Sequence, residues 1–284
     1  MDKNRVVRVA NARLRALWHA ESVWQGRLLA LMACQISGSD EDFTEYVVPF
    51  RDIMGPSRSV SAPKKQEIVE CLKKLMRTPI TIPHDGGNVV EIMCMLSYVR
   101  IDFGAQTVSA TFDPHLKPFY LELKRRYTTY SVDEYIGLRS TYSQKLYEYL
   151  MSWRDKNMVL VELEELHRLL DVPPSAKAAF TQFRIRILNK SLEEIKQKTS
   201  LNISYETLSH GRKVMGLKFY FNRQPSVSSE DTKKVAKKNN SLFMKAFRCA
   251  QQHLDIECAG NNSKQCELCV KLKMKTQHPQ CNQT

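Results

Sequence analysis

Glycine and histidine are scarce, with 10 and 7 in a chain of 284 residues. A site that cradles phosphate needs close backbone approach, and therefore a glycine-rich turn of defined spacing. The two candidate turns, "GPSRS" at 55–59 and "DGGN" at 85–88, do not match that spacing. No two histidines stand at a spacing that would put a metal-ligand pair on one strand or helix. A strand-nicking enzyme with a tyrosine nucleophile needs such a His-x-His pair, and none is present. These gaps argue against an enzyme.

Long apolar runs are also missing. "RLLALMAC" at 27–34 falls well short of the ~18 residues of a membrane span. In "MDKNRVVRVANARLRALWHAE" charges occupy the place where a secretory signal has its apolar core. The expectation is a cytoplasmic protein with no membrane partner and no disulfide framework.

Positive charge is plentiful. The net charge is +13 and the isoelectric point about 9.4. Residues 1–130 carry 18 basic and 14 acidic side chains, 131–225 carry 15 and 11, and 226–284 carry 10 and 5. The excess runs along the whole chain, which favours a polyanionic partner, most often nucleic acid.

Apolar periodicity predicts a helix over 13–37, with Leu14, Leu17, Trp24, Leu28 and Leu31 on a core-packing stripe rather than a dimer zipper. "FTEYVVPF" reads as a short strand and "FRDIMG" as a short helix. A longer helix follows, entered by Ser57, Ser59 or Ser61 and Pro63, and stopped by Pro79. A hairpin-rich sheet comes next, and "DPHLKPFYLELKRRYTTY" returns to helix. The second half repeats the order: the helix "STYSQKLYEYLMSWR", the strand "MVLVEL", the short helix "LEELHRLLDV", a Pro-Pro turn, a helix from about Ser175 to Thr199, and a hairpin turning at Gly211. The fold class expected is α+β: two tandem winged-helix domains, each a helix-turn-helix plus a β-hairpin wing, with a partly disordered basic C-terminal tail. The divisions expected are 1–130, 131–223 as the main base-reading module, and 224–284 as polar linker and Cys-rich tail.

The stretch "AFTQFRIRILNKSLEEIK", 179–196, begins like an alternating strand, but "ILNKSLEEIK" does not alternate. On a helical wheel Phe180, Phe183, Ile187, Leu188, Leu192 and Ile195 share one side. Gln182, Arg186, Asn189 and Glu193 lie opposite, with Ala178, Ala179 and Lys190 beside them, and Lys177 is a further DNA-contact candidate at the N-terminal end. Small Ala178 and Ala179 would let a partner approach closely. Arg suits guanine, and Gln or Asn suits adenine. Arg184 lies near the apolar side, where a phosphate contact and a pairing with Glu148 or Asp171 are both open. Arg212 and Lys213 sit at a wing tip, where phosphate contacts are common. In the first module Arg58, Ser61, Lys64 and Lys65 surround the start of the corresponding helix.

The blocks "DPHLKPFYLELKRRYTTY", "STYSQKLYEYLMSWR", "FRIRILNKSLEEI" and "GRKVMGLKFYF" resemble, in order and spacing, the iteron-binding plasmid replication initiator proteins of bacteria. The resemblance covers roughly 15–222. It implies two winged helices head to tail, binding to repeated double-stranded DNA sites at a plasmid origin, and opening of the duplex. It also implies a dimer that represses its own promoter, with the host replication initiator and replicative helicase as partners. The helix holding Gln182, Arg186 and Asn189 takes the place of the family's base-reading helix, with Ile185 standing at one polar position. A winged-helix transcriptional regulator without origin activity is the alternative reading, and a protein-binding module using the leading helix is a further one.

The tail holds Cys249, His253, Cys258, Cys266, Cys269, His278 and Cys281. Cys266 and Cys269 have zinc-knuckle spacing, and Cys258 with His278 or Cys281 would complete four ligands. There is one CxxC, not two, so free thiols in a flexible basic tail are the main expectation and zinc the alternative cofactor. Cys34, Cys71 and Cys94 stand singly in apolar patterns and read as small buried hydrophobes.

Overall fold

The computed structural model describes residues 5–55, 61–84, 88–123 and 126–221. Strand β1 (Val6–Ala10) turns Val7 and Val9 inward and pairs antiparallel with β7 (Tyr127–Ser131). Neither strand was expected. "TTY" belongs to β7, whereas the helical part of 113–130 is a 3-10 turn at Pro114–Leu116 and the short α5 (Lys117–Tyr120). Tyr and Thr suit a half-buried pleated surface, and pairing with β1 decides the matter.

The single helix expected over 13–37 is two helices, α1 (Asn11–Arg15) and α2 (Val23–Ala33). Ala16 is extended (φ −63, ψ 153), Leu17 bridges Thr81, and the Ser22 hydroxyl accepts from the Trp24 N–H at 3.3 Å to start the second helix. Leu14, Leu28 and Leu31 are nevertheless core residues. Next come β2 (Tyr46–Pro49), α3 (Phe50–Met54) closed by Gly55 at φ +95, and α4 (Ala62–Arg77). Strands β3 (Ile80–His84) and β4 (Val89–Met93) pair with each other. Strands β5 (Leu96–Asp102) and β6 (Thr107–Phe112) join β2 in an antiparallel sheet of order β2-β6-β5.

After α6 (Val132–Gly137), helix α7 (Thr141–Met151) is buried on every side from Ser143 to Met151. It packs on α1, α2 and the later α11 (Asn189–Lys198), so it ties the two halves of the chain together. Its Glu148 accepts from Arg13 at 2.8 Å, and both side chains are buried. Burial opposes the Arg13 charge, but Glu148 together with Tyr120, Tyr130 and Tyr135 outweighs it, and the guanidinium pKa is raised. Burial lowers the Lys145 pKa to about 8, with Glu148 opposing the drop.

The second module runs β8 (Met158–Glu162), α8 (Leu163–Leu169), α9 (Pro174–Lys177), α10 (Phe180–Phe183), a π-helical turn at Arg184–Leu188, and α11. The hairpin β9 (Ile203–His210) and β10 (Lys213–Phe221) follows, with sheet order β8-β10-β9. Among the described residues, those up to Ile82, from Val90 to Leu208 and from Val214 to Phe221 belong to one compact unit. No described helix is long and apolar enough to cross a membrane. Cys34, Cys71 and Cys94 are half-buried rather than fully buried, and burial raises the thiol pKa of Cys34 and Cys71.

Candidate nucleic-acid interface

The helix over 180–198 is held from below. Phe183, Ile187, Leu188 and Ile195 are buried, and Phe183 meets the ring of His167 on α8 edge-on at 4.7 Å between centroids. Fixing the apolar side fixes the other. Gln182, Arg186, Asn189, Lys190 and Glu193 are all exposed, as their wheel positions required.

The N-terminal end differs from expectation. The helix does not run from Ser175. Ala179 is extended (φ −144, ψ 133) and sits at the N-cap, so Ala178 and Ala179 precede the helix instead of lying on its face. Lys177 belongs to the separate α9 turn and is exposed there. Alanine favours helix, so local propensity does not signal this break. Packing overrides it by burying Ala176 and Phe183 on two separate segments.

Arg184 is exposed and lies 6.0 Å from the Phe180 ring centroid. Glu148, one of the two acids open to it, is held by Arg13. Ile185, between Arg184 and Arg186, is 53% exposed. A contact that sequence reasoning missed joins the wing strand to this face. The Tyr205 hydroxyl donates to Asn189 Oδ1 at 2.8 Å. No periodicity within one element foretells a bond between two.

At the wing, Gly211 takes φ +61 between β9 and β10, a backbone state that costs glycine little. Arg212 and Lys213 beside it are exposed. In the first module Ser61 occupies the N-cap of α4, but its side chain makes no capping bond. The Lys64 ammonium lies 2.9 Å from a Glu67 oxygen and 4.0 Å from the Trp24 ring centroid. Lys65 is exposed, 5.1 Å from the Phe103 ring centroid. Ser61 and Lys65 are thus exposed, and Lys64 is engaged within the protein. Arg58 lies outside the described residues, as do the zinc candidates Cys258, Cys266, Cys269 and Cys281. Among the described residues no group of three or more His, Cys, Asp or Glu is placed to hold a metal ion.

Two helix-turn-helix units, each with a hairpin wing and an exposed, partly basic second helix, define a tandem winged-helix protein. The chain belongs to the plasmid replication initiator (Rep) family. The models "Initiator Replication protein, WH1" and "Initiator Rep protein, WH2" match residues 8–151 and 162–221. The PI protein of Escherichia coli is 28% identical over 154 residues, which is 48% of this chain and 49% of that protein. The chain therefore spans about half the length of this curated relative. A solved crystal structure of the Pi initiator protein in complex with iteron DNA superposes with a TM-score of 0.61 at 18% identity, covering 80% of this chain and 100% of that one.

Proposed function

We propose that this protein is a non-enzymatic initiator that binds repeated double-stranded sites at a plasmid origin and opens the adjoining duplex. Residues 131–223 are its main base-reading module and 1–130 the supporting one. The observation that carries this reading is the 180–198 helix. Its buried side is locked by Phe183, Leu188 and Ile195, while Gln182, Arg186 and Asn189 face outward together. Bidentate pairing to base edges needs donors and acceptors held on a rigid element, and this helix supplies them.

Arg212 and Lys213 on the wing, with Lys177, Arg184, Lys190, Arg58, Ser61, Lys64 and Lys65, supply phosphate contacts, which position the protein and make affinity salt-dependent. Lys64 must exchange Glu67 for phosphate to take part. Opening uses binding energy to deform an A·T-rich segment. The host replication initiator and replicative helicase are then recruited, and a dimer of the protein represses its promoter. The protein works in the cytoplasm.

The test is permanganate footprinting of a supercoiled plasmid carrying the protein's own origin. New reactivity at thymines beside the repeats is expected on adding protein. Tight repeat binding without any reactivity would identify instead a winged-helix transcriptional regulator with no origin activity.

A further inference from the structure

We propose that Tyr205 is a specificity-determining positioning residue, whose hydroxyl fixes the Asn189 amide so that its nitrogen faces the major groove and donates to a purine N7. The inference rests on the DNA-facing reading of the 180–198 helix. Asn189 is exposed at the head of α11, and Tyr205 projects from β9. The phenol donates to Asn189 Oδ1 at 2.8 Å. A phenol oxygen shares its lone pairs with the ring, so it donates better than it accepts. That preference turns the amide oxygen toward Tyr205 and the amide nitrogen away from it.

Tyr205 is itself held. It is half-buried, and its ring leans on Phe219 at 6.1 Å between centroids, with Phe219 fully buried. The anchor therefore belongs to the core of the wing sheet.

The preceding turn explains how the two residues meet. Arg184–Leu188 is π-helical, and the adjacent Ile187 and Leu188 are both buried. A π turn holds more residues than an α turn, so each later residue lags on the wheel. Asn189 is thereby displaced relative to Arg186, and the wing meets it there. An exposed amide would otherwise sample several rotamers, and one held in advance loses less freedom on binding.

The chemistry differs from the usual pairing of asparagine with adenine. Adenine recognition uses both the N7 acceptor and the N6 donor, which requires the amide oxygen as well as the nitrogen. Here one oxygen lone pair is occupied by Tyr205. The outward N–H bonds donate to N7, which both purines carry; cytosine offers only its N4 donor there, and thymine O4 is the one pyrimidine acceptor left to compete. Asn189 thus reads purine against pyrimidine, with Tyr205 holding it in the reading orientation.

The experiment is selection from random duplex DNA with the full chain as wild type, Tyr205→Phe and Asn189→Ala. The selected site is then resynthesised with a 7-deazapurine at the position that Asn189→Ala makes degenerate. Tyr205→Phe keeps the ring and removes only the hydroxyl, and its melting temperature reports whether the fold is intact. The wild type is expected to require a purine at that position. Tyr205→Phe is expected to relax that position alone, by roughly 3- to 10-fold, a part of the discrimination carried by a good base contact. The 7-deazapurine should weaken the wild type by about 10-fold and leave Asn189→Ala unchanged. Wild-type stringency in Tyr205→Phe, equal relaxation at every position, or an absent 7-deazapurine penalty in the wild type would each overturn the inference while leaving the initiator reading in place. Failure of the wild type to enrich any site overturns that reading, and this inference with it.

Discussion

Replacing Glu148 with Gln tests how the junction around α7 is held. The carboxylate accepts from Arg13 at 2.8 Å through both oxygens, and the Tyr130 hydroxyl donates to it at 3.2 Å. Both charged partners are almost fully buried, at 4% and 2% exposure. The cation also lies 5.7 Å from the Trp18 ring centroid and 6.0 Å from that of Tyr120, with Lys145 on the same helix as Glu148. Glutamine keeps the shape and an acceptor oxygen but removes the negative charge bonded to Arg13. Unit charges about 4 Å apart interact by about 4 kcal/mol at the effective dielectric of protein interiors. That agrees with the ~3–5 kcal/mol cost of removing one partner of a buried pair. At ~2–4 °C per kcal/mol for a chain of this size class, the melting temperature should fall by roughly 10 °C. The assay is urea and thermal unfolding of Glu148→Gln, Arg13→Met, and the double variant Arg13→Met/Glu148→Leu. The double variant should recover part of the stability, because it removes both charges of the pair and leaves Lys145, held by the Leu14 and Ala16 carbonyls, as the one buried cation of this cluster. A Glu148→Gln effect below about 1 kcal/mol, or a double variant as unstable as the sum of the singles, would refute the reasoning.

His167 is buried, its ring nitrogens have no hydrogen-bond partner among the described residues, and desolvation lowers its pKa, with the Glu164 charge opposing the shift. Its folded pKa is below its unfolded one, so the unfolded chain binds the extra proton first and stability declines as pH falls below about 6.5. His167→Leu should flatten that decline in urea melts at pH 7.5 and pH 5, and an unchanged pH slope would assign it elsewhere. A Cβ added to Gly216 would stand 2.6 Å from the Val161 carbonyl oxygen, so Gly216→Ala should destabilise the β8–β10 pairing by about 1–3 kcal/mol in the same melts. Arg186→Ala should cost about 1–3 kcal/mol at one base pair and little on unrelated duplexes, as titrations against single-substitution sites would show. Arg212→Ala/Lys213→Ala should weaken all duplexes alike and lower the slope of log affinity against log salt by roughly 0.9 for each phosphate no longer neutralised.

The order of elements was legible because each module writes its periods locally. Ile68, Leu72 and Leu75 of α4 and Phe183, Ile187, Leu188 and Ile195 of the second-module helix are buried as their spacing required, while Met76, Phe180 and Leu192 are partly buried. The outward set Gln182, Arg186 and Asn189 follows from the same geometry. What was illegible is what depends on distant partners. β1 and β7 become a sheet only by meeting each other across more than a hundred residues. The break at Ala179 runs against local propensity, and the break after Arg15 uses a bridge from Leu17 to Thr81. By charge alone Glu148 and Asp171 were both open as partners of Arg184, whereas Arg13, from the far end of the chain, occupies the Glu148 carboxylate. The Tyr205–Asn189 bond was hidden for the same reason.

The most direct test of the central claim is selection from random duplex DNA with the full chain, followed by salt titration of the enriched site. The expected result is a site about two helical turns long with two separated blocks of selected bases, one for each winged helix, found again as tandem copies beside the protein's own gene. Enrichment of no site, with binding that merely fades as salt rises, would contradict it.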